Sequence, residues 1–117
     1  MDADLDRLFA KSEPVARALH DRILEASQTF GDVRVEPKGT CVHLCRGPAF
    51  AGVHPRKTGV MVTLKAAVAL DSPRVRKAEQ VSANRAHNDL VLTSLDEVDA
   101  EFLGWLRASF DLAAPKT

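Results

Sequence analysis

The hydrophobic period of this chain changes twice, and those two changes limit its fold more than any other feature. Val15, Leu19, Ile23, Ala26 and Phe30 recur in steps of three and four. That spacing puts them on one face of an amphipathic helix, with Arg17, Asp21, Arg22 and Glu25 on its wet side. After Gly31 the period falls to two: Val33 and Val35 alternate with Asp32, Arg34 and Glu36, Pro37-Lys38-Gly39 supplies a turn, and Thr40 to Arg46 alternates again. This is the pattern of a hairpin. Gly47-Pro48 interrupts it, a short segment Ala49–His54 follows, and Pro55-Arg56-Lys57-Thr58-Gly59 turns the chain into the strongly β-forming run Val60–Lys65. A further strand is expected from His87 to Thr93, after which Val98, Phe102, Trp105, Leu106 and Phe110 restore the helical period.

The helix ends carry their own signals. Ser12 is placed to cap the first helix, Pro14 suits a first turn whose amides have no intrahelical acceptor, and Gly31 suits a left-handed stop, giving a helix over 13–30. Ser94 with Glu97 three residues on forms a capping box, and Asp96, Glu97 and Asp99 match the positive end of a helix dipole, giving a second helix over 95–111. Residues 66–86 are weaker in pattern. Asp71-Ser72-Pro73 resembles a cap with a first-turn proline, so Arg74 to Glu79 is expected as a short basic helix or a loop. Short links between successive strands favour antiparallel pairing. The expected fold is α+β: a two-layer domain with an antiparallel sheet of four to five strands and two long helices, N- and C-terminal, packed on one face. Val42, Leu44, Val60, Val62 and Leu64 then face the helices, and Cys41, His43, Cys45, Met61, Thr63 and Lys65 face away.

With 117 residues, 45% apolar and 27% charged, the chain is expected to form a single domain over 1–117, with an ordered core at about 13–112. No apolar run is long enough to span a bilayer, and the start Met1-Asp2-Ala3-Asp4 has no cationic lead or apolar segment. A cytoplasmic protein with no membrane partner is expected. Cys41 and Cys45 on one strand lie about 13 Å apart, beyond disulfide reach, and are expected as free thiols.

The net charge of zero conceals an uneven distribution. Residues 34–87 hold ten Lys/Arg against three acids, a balance of +7, while the segments before and after stand at −3 and −4. Clustered positive charge can mark an anion-binding surface. It can also arise where acidic helices sit on a basic sheet.

The stretch Leu70-Asp71-Ser72-Pro73-Arg74, His87 opening the last strand, and Thr93-Ser94 through Asp99-Ala100-Glu101 to Trp105-Leu106-Arg107-Ala108 resemble a family of uncharacterised bacterial domains. The likeness spans roughly residues 13–112, with Phe110 as the family's usual aromatic near the end of the last helix. It implies an α+β domain of about this size, found alone or as a C-terminal attachment, and no established activity. A looser likeness of layout, to small double-wing proteins suspected of binding DNA, does not fix function.

Several residues invite chemistry. Cys41-x-His43-x-Cys45 offers zinc-type ligands, but on a strand the two sulfurs are too far apart for one ion, and no metal or other cofactor is expected. His20 is expected at the rim of its helix, and His54 at a turn beside Pro55, where it either helps to hold an anion or has no role. His87 follows Arg85 at the mouth of a strand and is the histidine best placed for a site. No motif brings a base to a serine or cysteine, so no catalytic residue is assigned. Arg56 and Lys57 at a hairpin tip, with Arg74, Arg76, Lys77 and Arg85 in the connection between the last two strands, form a cationic rim if tip and connection converge. The ligand-binding residues expected on this reading are Arg56, Lys57, Arg74, Arg76, Arg85 and His87. Three functions stay open: a binding module for an anionic ligand, either nucleic acid backbone or a phosphate or carboxylate small molecule; a domain that docks onto a protein partner or forms a homodimer; and a small enzyme using His87 or Cys45. With no Tyr, and Phe and Trp mostly in helical stripes, base stacking by an aromatic platform is not expected.

Overall fold

A computed structural model describes residues 3–113. The chain folds as α1 (Ala3–Leu8), α2 (Pro14–Gln28), β1 (Arg34–Lys38), β2 (Cys41–Cys45), β3 (Ala49–Arg56), β4 (Gly59–Ala66), β5 (Val75–Ser82), β6 (Arg85–Leu92), a 3-10 turn (Leu95–Glu97) and α3 (Ala100–Leu112). The strands form one six-stranded sheet in the order β1-β2-β3-β4-β6-β5, every neighbouring pair antiparallel. The fold is therefore α+β, with six strands where four to five were expected. No helix among the described residues is long and apolar enough to cross a membrane.

α2 and α3 both pack against β3 and β4 and against each other. Ala16, Leu19 and Ile23 from α2 and Phe102, Leu106 and Phe110 from α3 meet Val42, Leu44, Val53, Val60, Val62, Leu64, Leu90 and Leu92 of the sheet. Alternation along each strand buries those residues and turns the residues between them away from the helices, as the period of two requires. α1, whose polar sequence hides its role, adds Leu5 and, just beyond it, Phe9 to the same core.

Four local expectations need correction. Residues 75–79 belong to β5 and form no helix, with Arg74 in the turn before it: Ser72 accepts hydrogen bonds from the amides of Arg74 (3.2 Å, through Oγ) and Val75 (3.1 Å, through its carbonyl), closing a turn that leads directly into the strand. β5 is an edge strand exposed along nearly its whole length, so it has no apolar alternation to read. Its approach is held by Asn88, a fully buried side chain whose Oδ1 accepts from the Leu70 amide at 2.8 Å. Ser12 does not cap α2; Glu13 holds the cap position without a side-chain bond, and its amide donates to the Lys57 carbonyl at 2.7 Å. Gly31 is not left-handed; the positive φ belongs to Gly47, and Gly31 is a glycine because the tip of the Phe110 ring lies 2.9 Å from where a Cβ would stand. The second helix is broken at its start: Ser94 and Glu97 form the expected capping box on the 3-10 turn, and Asp99 then caps α3 separately by accepting from the Phe102 amide at 3.0 Å.

Candidate functional site

The sheet face turned away from the helices carries the polar side chains of its central strands. Cross-strand register aligns Glu36 (β1), His43 (β2), Gly52 (β3), Thr63 (β4), Asp89 (β6) and Lys77 (β5) in one row, and Lys65, His87 and Glu79 in the next row on β4, β6 and β5. Gly52 lies in the middle of the first row. A Cβ there would rest 3.5 Å from His54 Nε2, 3.8 Å from His43 Cδ2 and 4.0 Å from Thr63 Cβ, so its absence leaves a hollow ringed by those side chains. The hollow is part of a cleft of about 360 Å³ that His43, His54, Thr63, Lys65 and His87 line, with Ala49 and the backbone of Ala51 beside them. Three of the chain's four histidines meet here.

Two of the polar groups are committed to each other. Thr63 donates its hydroxyl proton to Asp89 Oδ1 at 2.7 Å, and His54 Nε2 lies 3.4 Å from the same hydroxyl oxygen. Because the carboxylate only accepts, the threonine oxygen faces His54 as an acceptor, which selects the tautomer with hydrogen on Nε2. Burial pushes the His54 pKa down from its ordinary value, against the pull of Asp89 and with help from Arg56 and His43. His43, Lys65 and His87 make no side-chain hydrogen bond or ion pair with any described residue. They are donors without side-chain partners among the described residues, gathered at one cleft.

The residues expected to bind ligand do not gather. Arg56 and Lys57 occupy the β3–β4 hairpin, where an Arg56 Nη2 lies 3.3 Å from Met61 Sδ. Arg85 opens β6 and bonds the Asn84 carbonyl at 2.9 Å. β4 separates these two places: Arg56 pairs with Gly59 at its start and Ala86 with Ala66 at its end, a span of roughly 23 Å for a strand rising about 3.3 Å per residue. Arg74 is fully engaged. Its guanidinium reaches Asp99 Oδ1 and Glu101 Oε1, each at 3.0 Å, and the Glu97 carbonyl at 2.7 Å, and lies 5.7 Å from the centre of the Trp105 ring. Arg76 is an exposed residue at the bulge where β5 shifts register. Only His87 belongs to the cleft.

Other basic residues of the central segment are likewise occupied. Arg34 and Lys38 pair with Glu36, and Arg46 donates to the Phe110 carbonyl at 3.1 Å while lying 4.1 Å from that ring's centre. Part of the charge asymmetry is thus internal, with Arg74 joining the basic segment to the acidic start of α3.

Sequence reasoning placed His43, Thr63 and Lys65 on this face but did not assign them to a site. Gly52 and Asp89 were missed, and His54 was weighed for an anion only as a turn residue, apart from this face. The β3–β4 part was within reach, because a hairpin turning at Lys57-Thr58 pairs Gly52 with Thr63 and His54 with Met61. The β6 part needed the long connection through β5, which no local pattern revealed.

His20 is a further correction. Expected at a helix rim, it is 0% exposed and lies beneath Phe9, with ring centroids 5.4 Å apart. Its Nδ1 bonds Asp21 Oδ1 at 2.9 Å and its Nε2 has no partner among the described residues. The two thiols are free; burial pushes both pKa values up, and Glu36 adds to the effect at Cys45. Thiols in that state are poor nucleophiles near neutral pH. Among the described residues no three His, Cys, Asp or Glu side chains converge to hold a metal ion.

No curated protein and no solved structure matches this chain. One family model does, the Domain of unknown function (DUF5655), and it aligns with residues 5–113, from the first buried leucine of α1 to the end of α3. With nearly all of its 117 residues matched, the chain belongs to that family.

Proposed function

We propose that this domain is a binding module that takes a small anion, a carboxylate or phosphate compound, in the cleft on the uncovered face of its sheet. The observation that carries the reading is the meeting of His43, Lys65 and His87, none of them paired with another described residue, around a floor that Gly52 keeps open. Lys65 supplies a full charge and up to three donors. Its neighbour across the strand pair, His87, supplies another donor at the same end of the cleft. A charged group leaving water needs such replacement donors, and here they require no disruption of an existing ion pair.

A small molecule fits this arrangement better than a nucleic acid backbone. Contact with a run of phosphates calls for basic residues spread along a track. Arg34, Arg46 and Arg74 are tied to internal partners, and Arg56 and Arg85 stand at opposite ends of β4. Phe50, Phe102 and Phe110 are buried in the core and give no stacking platform.

Calorimetric titration with inorganic phosphate and with acetate tests the reading. The expected result is saturable binding that Lys65→Gln weakens by at least about fivefold, near 1 kcal/mol, and that Arg56→Gln with Lys57→Gln leaves unchanged. Loss of binding in the hairpin variant alone, or no binding of either anion, would overturn it.

A further inference from the structure

The cleft has two chemically different ends, and we infer that its ligand is a flat ring bearing one anionic group, an aromatic or heteroaromatic carboxylate or phosphate ester. The inference rests on the anion-binding reading above and adds the shape of the ligand's body. Lys65 and His87 face each other across β4 and β6 and define the charged end. One row further along the strands, the floor is the bare backbone of Gly52, bordered by the imidazoles of His43 and His54 and by the Thr63 side chain, each about one van der Waals contact from the missing Cβ.

At the flat end two of the three polar side chains are engaged with each other, and the His43 ring is the one left without a side-chain partner among the described residues. Thr63 has given its proton to Asp89, and His54 directs its Nε2 toward the threonine oxygen. A group resting there meets a peptide plane, imidazole carbon and Ala49, while Ala51 turns its methyl into the core and offers only backbone. Such surfaces favour the face of a planar ring, which gains dispersion contacts without needing hydrogen-bond partners. A puckered ring of the same atom count stands thicker and loses contact with the backbone floor. The volume of about 360 Å³ admits one such ring with its anionic group and lies at the small end of the range for ligand sites.

The test compares benzoate, cyclohexanecarboxylate and acetate on the full-length protein by calorimetry and by amide chemical shifts. Benzoate is expected to bind at least about tenfold tighter than either of the others. It should move the Gly52, His43 and His54 amides in addition to those of Lys65 and His87, while acetate should move only the second group. Gly52→Val, which fills the flat end, should weaken benzoate far more than acetate and so bring the two affinities together; its amide spectrum and melting curve report whether it is folded. Equal affinity for benzoate and cyclohexanecarboxylate, or for benzoate and acetate, would overturn the flat-ring assignment and leave the anion-binding reading standing. If none of the three binds, the flat-ring assignment falls, and the anion-binding reading falls with it if inorganic phosphate does not bind either.

Discussion

Replacing Gly52 by alanine should make this protein more stable and its cleft less useful. A glycine inside a strand costs stability, because the unfolded chain has more freedom to lose and no side chain packs in return. At Gly52 the backbone is not left-handed, and the nearest heavy atoms to a new Cβ stand at 3.5, 3.8 and 4.0 Å, all ordinary contacts. No strain opposes the change. The expected gain is about 0.5–1 kcal/mol, the usual benefit of Gly→Ala at a compatible site. For a domain of this size that is a rise in melting temperature of about 2–5 °C. The same methyl sits on the cleft floor, so phosphate and benzoate affinity should fall, benzoate more than phosphate. Urea unfolding measures the first effect and calorimetric titration the second. A loss of stability greater than about 1 kcal/mol would show that the space above Gly52 is already filled. Unchanged ligand affinity would show that the open floor has no part in binding.

Gly59→Ala, one strand further on, should have the opposite effect on stability: its Cβ would fall 2.1 Å from the Leu92 carbonyl oxygen, forcing β4 from β6, and urea unfolding should show a loss of more than about 3 kcal/mol or an unfolded chain. Stability should decline as the solution is acidified, because burial lowers the pKa values of His20 and His54 in the folded protein. The unfolded chain then holds the proton more tightly, so the full stability is present above the ordinary value of 6.5 and is lost as pH falls through the lower folded value; His20→Phe should flatten part of that slope in a series of urea midpoints. Arg74→Met keeps an apolar stem beside Trp105 but removes the bond to the Glu97 carbonyl, and thermal unfolding should register a loss of about 1–2 kcal/mol, with little added by the half-exposed carboxylates. Cys41 and Cys45 should react slowly with a disulfide reagent at neutral pH and faster as pH rises, as expected of thiols whose pKa burial has raised; rapid labelling of the folded protein at pH 7 would contradict their placement.

Two long helices and the strands that alternate were legible because each carries a complete pattern: an apolar stripe on α2, a capping box ahead of α3, and buried valines and leucines at every second position of β2 and β4. β5 was not legible, since an edge strand exposed along nearly its whole length has no reason to alternate, and its lead-in Asp71-Ser72-Pro73 serves a turn as well as a cap. α1 escaped notice because only Leu5 and the following Phe9 of its short polar stretch enter the core. His20 was misjudged because its position at the edge of the α2 stripe does not show that Phe9 folds over it. The site was the least readable part. A run of basic residues suggested one surface, but charge says nothing about partners: Arg74 answers to α3, Arg46 to the end of that helix, and Arg34 to Glu36 on its own strand. The cleft instead depends on register, on which residue of β4 stands opposite which residue of β6, and that is decided by a connection whose anchor is one buried asparagine.

The most direct measurement is a map of backbone amide shifts as inorganic phosphate is added to the isotope-labelled protein. The largest changes are expected at Lys65 and His87, the charged end of the cleft. Changes centred instead on Arg56, Lys57 and Arg85, with the cleft amides still, would contradict the anion-binding reading.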